Sequence, residues 1–119
     1  MFETLIQKLQ EDKFLTLETT PQHEPSMHNI IEKIKKFKLQ DRVDGFSCTD
    51  NPLAKLKYNA LFASLKLQME FKKPVIATMS MRDRNKIALQ SDLMAANDFD
   101  VRAILALTGD PAKMSDQPH

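Results

Sequence analysis

A chain of 119 residues with 42% hydrophobic residues is long enough for one domain with a core and too apolar for a disordered chain. Its formal net charge of +1 gives no electrostatic case for binding nucleic acid or an anionic membrane. One cysteine excludes an intramolecular disulfide and suits a reducing, cytoplasmic location, and no apolar run approaches the roughly 18 residues of a membrane span.

Residues 2–11 place Phe2, Leu5, Ile6 and Leu9 at helical spacing, which predicts a short amphipathic helix. The start lacks the basic and apolar regions of a signal peptide. Residues 13–20, KFLTLETT, are rich in β-branched and aromatic residues and stop at Pro21, which predicts a first strand. After a loop, Ser26 is positioned to cap a helix with Met27, Ile30, Ile31, Ile34 and Phe37 on one stripe. Its lysines, Lys33, Lys35, Lys36 and Lys38, read as a solvated face rather than a phosphate patch.

Residues 43–50, VDGFSCTD, predict a second strand closed by Asn51-Pro52. A helix follows with Tyr58, Leu61, Phe62, Leu65 and Met69 on one face. Pro74 opens a third strand, PVIATMSM, and a third helix begins near Asp83 or Asn85 and buries Leu89, Leu93 and Ala96. The fourth strand is the apolar run Ile104, Leu105, Ala106 and Leu107, whose composition is that of a strand buried on both faces. It breaks at Thr108-Gly109-Asp110-Pro111, and residues 114–119 are polar.

The strands begin near residues 14, 44, 74 and 103, a spacing of roughly 30, the length of one strand-plus-helix unit. Successive units of that kind require parallel strands with right-handed crossovers. A doubly wound sheet and a (β/α)8 TIM barrel both use this period. The first strand-helix turn has no G-x-G-x-x-G, and the chain has only 2 glycines, which favours the barrel over a dinucleotide-binding unit. A barrel takes about 250 residues and eight strands, so this chain supplies about three and a half βα units. The expected organisation is one partial barrel domain over 1–119, with an N-terminal helix in 1–12 and units one to three plus strand four in 13–119. An open half-barrel exposes two strand edges and one apolar wall, so truncation is expected. Its alternatives are pairing with another half, as in a homo-oligomer, or instability.

Every strand ends in polar residues, and in a barrel those endings meet on the rim that carries the chemistry. Glu18 alternates onto the face of Phe14 and Thr16, where a carboxylate would be partly desolvated, as a general acid requires. The alternative is a rim glutamate paired with a cation such as Arg82. Asp110 faces a ligand or caps the turn after Gly109, and Gly109 allows a close backbone approach or a plain turn. Thr49 and Asp50 bond either a ligand or nearby backbone amides. Arg82 to Asn85 clamp an anion or form a helix cap. Cys48 has no neighbouring histidine and reads as a buried, inert thiol, and the three scattered histidines suggest no metal site.

Taken together, LETTP at 17–21, FSCTDN at 46–51, MRDRNKIALQSDL at 81–93 and ILALTGDPAK at 104–113 resemble the methylenetetrahydrofolate reductase family. The likeness runs from about residue 13 onward and is closest to the variant fused to, or working beside, a homocysteine methyltransferase. It implies a flavin-binding barrel with FAD as cofactor, NAD(P)H as electron donor and a folate as substrate, reducing 5,10-methylenetetrahydrofolate to 5-methyltetrahydrofolate in methionine metabolism. By position, the resemblance makes Glu18 the general acid and Asp110 the aspartate that tunes the transfer beside flavin and pterin. It places Thr49, Thr78, Leu107, Thr108 and Gly109 around the flavin. Many members carry histidine where this chain has Thr78 and arginine where it has Thr108, so two donors near the flavin are replaced by shorter hydroxyls. A non-catalytic half-barrel that only assembles, or another pterin-handling barrel, are the rival readings.

Overall fold

The computed structural model describes residues 1–11 and 13–109. The element order is α1 (Phe2–Gln10), β1 (Thr16–Thr19), α2 (His28–Lys36), β2 (Gly45–Cys48), α3 (Ala60–Phe71), β3 (Val75–Ser80), α4 (Lys86–Asp98) and β4 (Ala103–Leu107), with short 3-10 turns at Leu39–Arg42 and Pro52–Ala54. The four strands form one sheet in the order β1-β2-β3-β4, every pair parallel. Sequential order and parallel pairing are what successive βα units with short loops produce.

Strands β1 and β2 are shorter than their composition suggests, and the reason is local. The Leu15 amide donates to the Asp44 carboxylate at 2.8 Å, and the Asp44 amide returns a bond to the Leu15 carbonyl. Lys13 to Leu15 are therefore latched to β2 by a side chain, and ladder pairing begins only at Thr16 opposite Gly45. Val43 gives its carbonyl to the Lys73 ammonium at 2.7 Å, which places it before the strand. A Cβ on Gly45 would lie 2.3 Å from the Pro74 carbonyl oxygen and 2.8 Å from the Phe14 ring, so only glycine lets β2 and β3 approach there.

The core lies between the sheet and its helices. Phe46, Cys48, Val75 and Ala77 from the strands meet Met27, Ile34, Ala60, Ala63, Leu67 and Ala96 from the helical side. The small residues Ala60, Ala63 and Ser64 let α3 sit close on β2 and β3, while Phe46 stacks at 5.2 Å on Phe71. A side chain the size of Phe46 or Leu67, fully buried, contributes about 1.5–3 kcal/mol.

Caps account for two helix starts. The Asn59 side chain accepts from the Phe62 amide at 3.0 Å, and the Asn85 side chain from the Ala88 amide at 2.8 Å, so Asn85 rather than Asp83 opens α4. Ser26 sits one residue before the cap position, which Met27 holds, and its hydroxyl accepts the His28 amide at 3.0 Å.

Several burial expectations are corrected. Phe37 is exposed, with the Lys36 ammonium 5.6 Å from its ring centre. Phe62 and Met69 point to solvent because α3 is apolar on most of its circumference and its smallest residues face the sheet. Leu93 is exposed on α4, where Ala96 alone is buried. Strand β4 is not buried on both faces: Ile104 packs on the core, but Leu105 and Leu107 are 53% and 45% exposed. They lie on the face of the sheet that the helices leave uncovered, at an edge strand.

Helix α1 lies at the amino end of the sheet. Its terminal ammonium meets the Asp100 carboxylate at 3.0 Å and Lys8 meets Asp44 at 3.5 Å. On the helical side Lys35 pairs with Glu70 of α3, which holds the Glu70 carboxyl below its usual range and raises the Lys35 ammonium.

Candidate functional site

The carboxyl ends of β1 to β4 converge on the uncovered face of the sheet and enclose a cleft of ≈ 330 Å³. Glu18, Thr49, Thr78, Leu107, Thr108 and Gly109 all line it, together with Asp50, Pro52, Ser80 and Leu105. Register explains the convergence. Glu18 stands opposite Ser47, Thr78 opposite Leu105 and Ser80 opposite Leu107, so the inward side chains of adjacent strands fall side by side. Asp110 lies outside the described residues.

Glu18 is exposed, which corrects the expectation of a desolvated carboxylate. Glu18 stands on the face of the sheet opposite the one the helices pack against. Arg82 is not its ion-pair partner: that guanidinium bonds the Asp83 carboxylate at 2.6 Å and reaches the Asn51 carbonyl at 3.4 Å. Glu18 stands between the cleft and a second groove of ≈ 540 Å³ along β1 and α2, where Gln22, Glu24, Asn29 and Lys33 are also found.

Thr49 and Asp50 divide the two roles that their residue types leave open. The Asp50 side chain is 1% exposed and accepts the Ser80 amide at 2.7 Å and the Arg84 guanidinium at 2.5 Å. Arg84 therefore belongs to the rim rather than to an anion clamp. Sequence reading did not join these residues, although both sit at strand ends one βα period apart. Thr49 donates its amide to the Thr19 carbonyl at 3.1 Å, but its Oγ1 is buried without a hydrogen-bond partner among the described residues. A buried hydroxyl in that state costs free energy unless something in the cleft completes it.

Gly109 has φ of +91°, and a Cβ there would lie 2.3 Å from Ser80 Oγ and 3.0 Å from Arg82 Cβ. Both the backbone conformation and the packing demand glycine. Cys48 is fully buried and bonded to Thr19, and desolvation pushes its thiol up, as for an inert cysteine. Among the described residues no three His, Cys, Asp or Glu side chains come together to hold a metal, and no helix is long and apolar enough to cross a membrane.

The fold and cleft define an α/β protein with a parallel sheet and a cleft at the carboxyl ends of its strands, the position such sheets use for binding. Residues 2–119 match the family model described as methylenetetrahydrofolate reductase, and the chain belongs to that family. Membership supports an oxidoreductase function directed at folates. No curated protein and no solved structure matches the chain.

The cleft's donor set suits a flavin on its own chemistry. Leu105 and Leu107 offer an apolar wall to a flat ring, while Thr49 Oγ1, buried beside the cleft, lacks a hydrogen-bond partner among the described residues.

Proposed function

We propose that the chain forms the first four strands of a (β/α)8 barrel that reduces 5,10-methylenetetrahydrofolate to 5-methyltetrahydrofolate with FAD as cofactor and NAD(P)H as electron donor. The observation that carries this reading is the meeting of Glu18, Thr49, Thr78, Leu107, Thr108 and Gly109 in one strand-end cleft. FAD, when bound, supplies hydride chemistry. The chain's residues bind and orient around it. Leu105 and Leu107 would pack against its ring, Thr49 would offer its hydroxyl to the polar edge, and Thr78 and Thr108 would add theirs. Glu18 holds the proton that opens the folate's methylene bridge towards the reactive iminium, and the family resemblance gives Asp110 the role of tuning the transfer. A free, buried Cys48 is compatible with a cytoplasmic setting.

A second reading, a half-barrel that acts only by assembling, is favoured by the exposure of Leu105 and Leu107 on the inner face. Its partners are a second copy of the chain or a homocysteine methyltransferase.

Titration of the purified chain with FAD, followed by absorbance at about 450 nm, separates the two. Saturable binding supports the first reading, and a colourless, non-binding chain leaves the second. In the completed barrel, Glu18→Gln is expected to lower folate turnover by about 10²–10⁴-fold while NAD(P)H still reduces the flavin. Unchanged folate turnover would remove the general-acid role from Glu18.

A further inference from the structure

The resemblance assigns no role to Asp50 and Arg84, yet they form the most enclosed ion pair among the described residues, their side chains 1% and 15% exposed. Their geometry converges on one residue. Asp50 Oδ2 accepts the Ser80 amide at 2.7 Å, and Arg84 Nη1 donates both to Asp50 at 2.5 Å and to the Ser80 carbonyl at 2.9 Å. Both peptide groups of Ser80 are thus held by the ion pair. Arg84 is itself steadied by the α4 residue Asp92 at 3.4 Å.

Ser80 passes that position on. Its Oγ accepts the Arg82 amide at 3.2 Å, and the Gly109 turn rests against the same oxygen, with no room even for a methyl group. On the other side, Asp50 directly follows Thr49, whose Oγ1 lacks a partner among the described residues. The Asp50 carboxylate thus joins the end of β2 to the end of β3, and the turn after β4 packs on the same Ser80. A buried ion pair is weak evidence for stability, because well-packed apolar residues commonly do as well. What it provides that they do not is direction.

We infer that Asp50 and Arg84 are positioning residues: their ion pair sets the height of Ser80 and so aims the Thr49 hydroxyl and the Gly109 turn at a bound flavin ring. The inference rests on the flavin reading for its ligand, and on the rim geometry alone for the lock.

The test uses Asp50→Asn, Arg84→Gln, Arg84→Lys and the double variant Asp50→Asn/Arg84→Gln. Each is followed by FAD titration, by the amide NMR shifts of Thr49, Ser80 and Gly109 without FAD, and by thermal melting. Each neutral single variant is expected to move all three amides and to weaken FAD binding about tenfold or more. The double variant is expected to bind no more weakly than the worse single one, as for a pair acting as a unit. Arg84→Lys recovers only part of the affinity, since an ammonium lacks the planar fork whose Nη1 serves Asp50 and the Ser80 carbonyl while its Nε faces Asp92. Should either single variant fail to fold, the double variant, which leaves neither a buried cation nor a buried anion unpaired, decides the matter. Unmoved Thr49 and Gly109 amides in folded variants overturn the lock, as does FAD loss that merely follows the fall in melting midpoint. A wild-type chain that ignores FAD while its variants shift those amides overturns the flavin reading and leaves the lock standing.

Discussion

The two ends of the sheet are built differently. At the amino end, polar groups are used against one another: Lys73 holds the carbonyls of Gln40 and Val43, Asp44 holds the Leu15 amide, and Asp100 holds the chain's own ammonium. At the carboxyl end, Glu18 has no ion pair with a described residue, Thr49 Oγ1 has no described partner, and two leucines of β4 stand open. The Asp50 lock resembles the amino end in its completeness. The contrast separates residues that hold the strands from residues left ready for something else, the division expected of barrel strands.

Substitution at the amino end should therefore affect folding and little else. Gly45→Ala has the largest expected effect, because the added methyl meets backbone rather than a flexible side-chain tip. A loss of about 3 kcal/mol or more follows from overpacking that neither β2 nor Pro74 can relieve. Thermal melting and soluble yield read it directly. A variant that melts like the wild type would show that the two strands can part there.

Thr49→Val should do the reverse. It removes a buried hydroxyl that has no described partner and keeps the shape, so the melting midpoint should hold or rise slightly. FAD affinity should fall about tenfold, roughly 1.4 kcal/mol, the worth of one hydrogen bond. Titration beside a melting curve measures both, and a fall in both together would place Thr49 with the structural residues.

Much of this division was legible before any coordinates. The period of about 30 residues pointed to sequential parallel strands, and the polar endings together with the family resemblance gave six cleft residues, Glu18 among them. What escaped was whatever depends on the third dimension. The depth of Glu18 depends on a wall that four strands do not build. The buried side of α3 could not be chosen by periodicity, since apolar residues lie almost all round it and the sheet selects the small ones. The 3-10 turns at Leu39–Arg42 and Pro52–Ala54 have no hydrophobic period to reveal them. Asp50 and Arg84 look like separate loop charges until the sheet brings β2 and β3 side by side.

The smallest effect expected concerns acid. The Leu15 amide, and then Lys8, hold the Asp44 carboxyl below its usual range, and the chain's terminal ammonium does the same for Asp100. A carboxyl whose folded value lies below the unfolded value of about 3.9 stabilises the fold above that pH. The contribution disappears as pH falls through the depressed folded value. Both side chains are partly exposed, so solvent screens the gain and only a small shift is expected. Asp44→Asn and Asp100→Asn should melt slightly below the wild type at neutral pH and together with it in strong acid. A gap that persists undiminished in acid would mean that these positions act through packing, and the amino end would then owe its order to shape rather than charge.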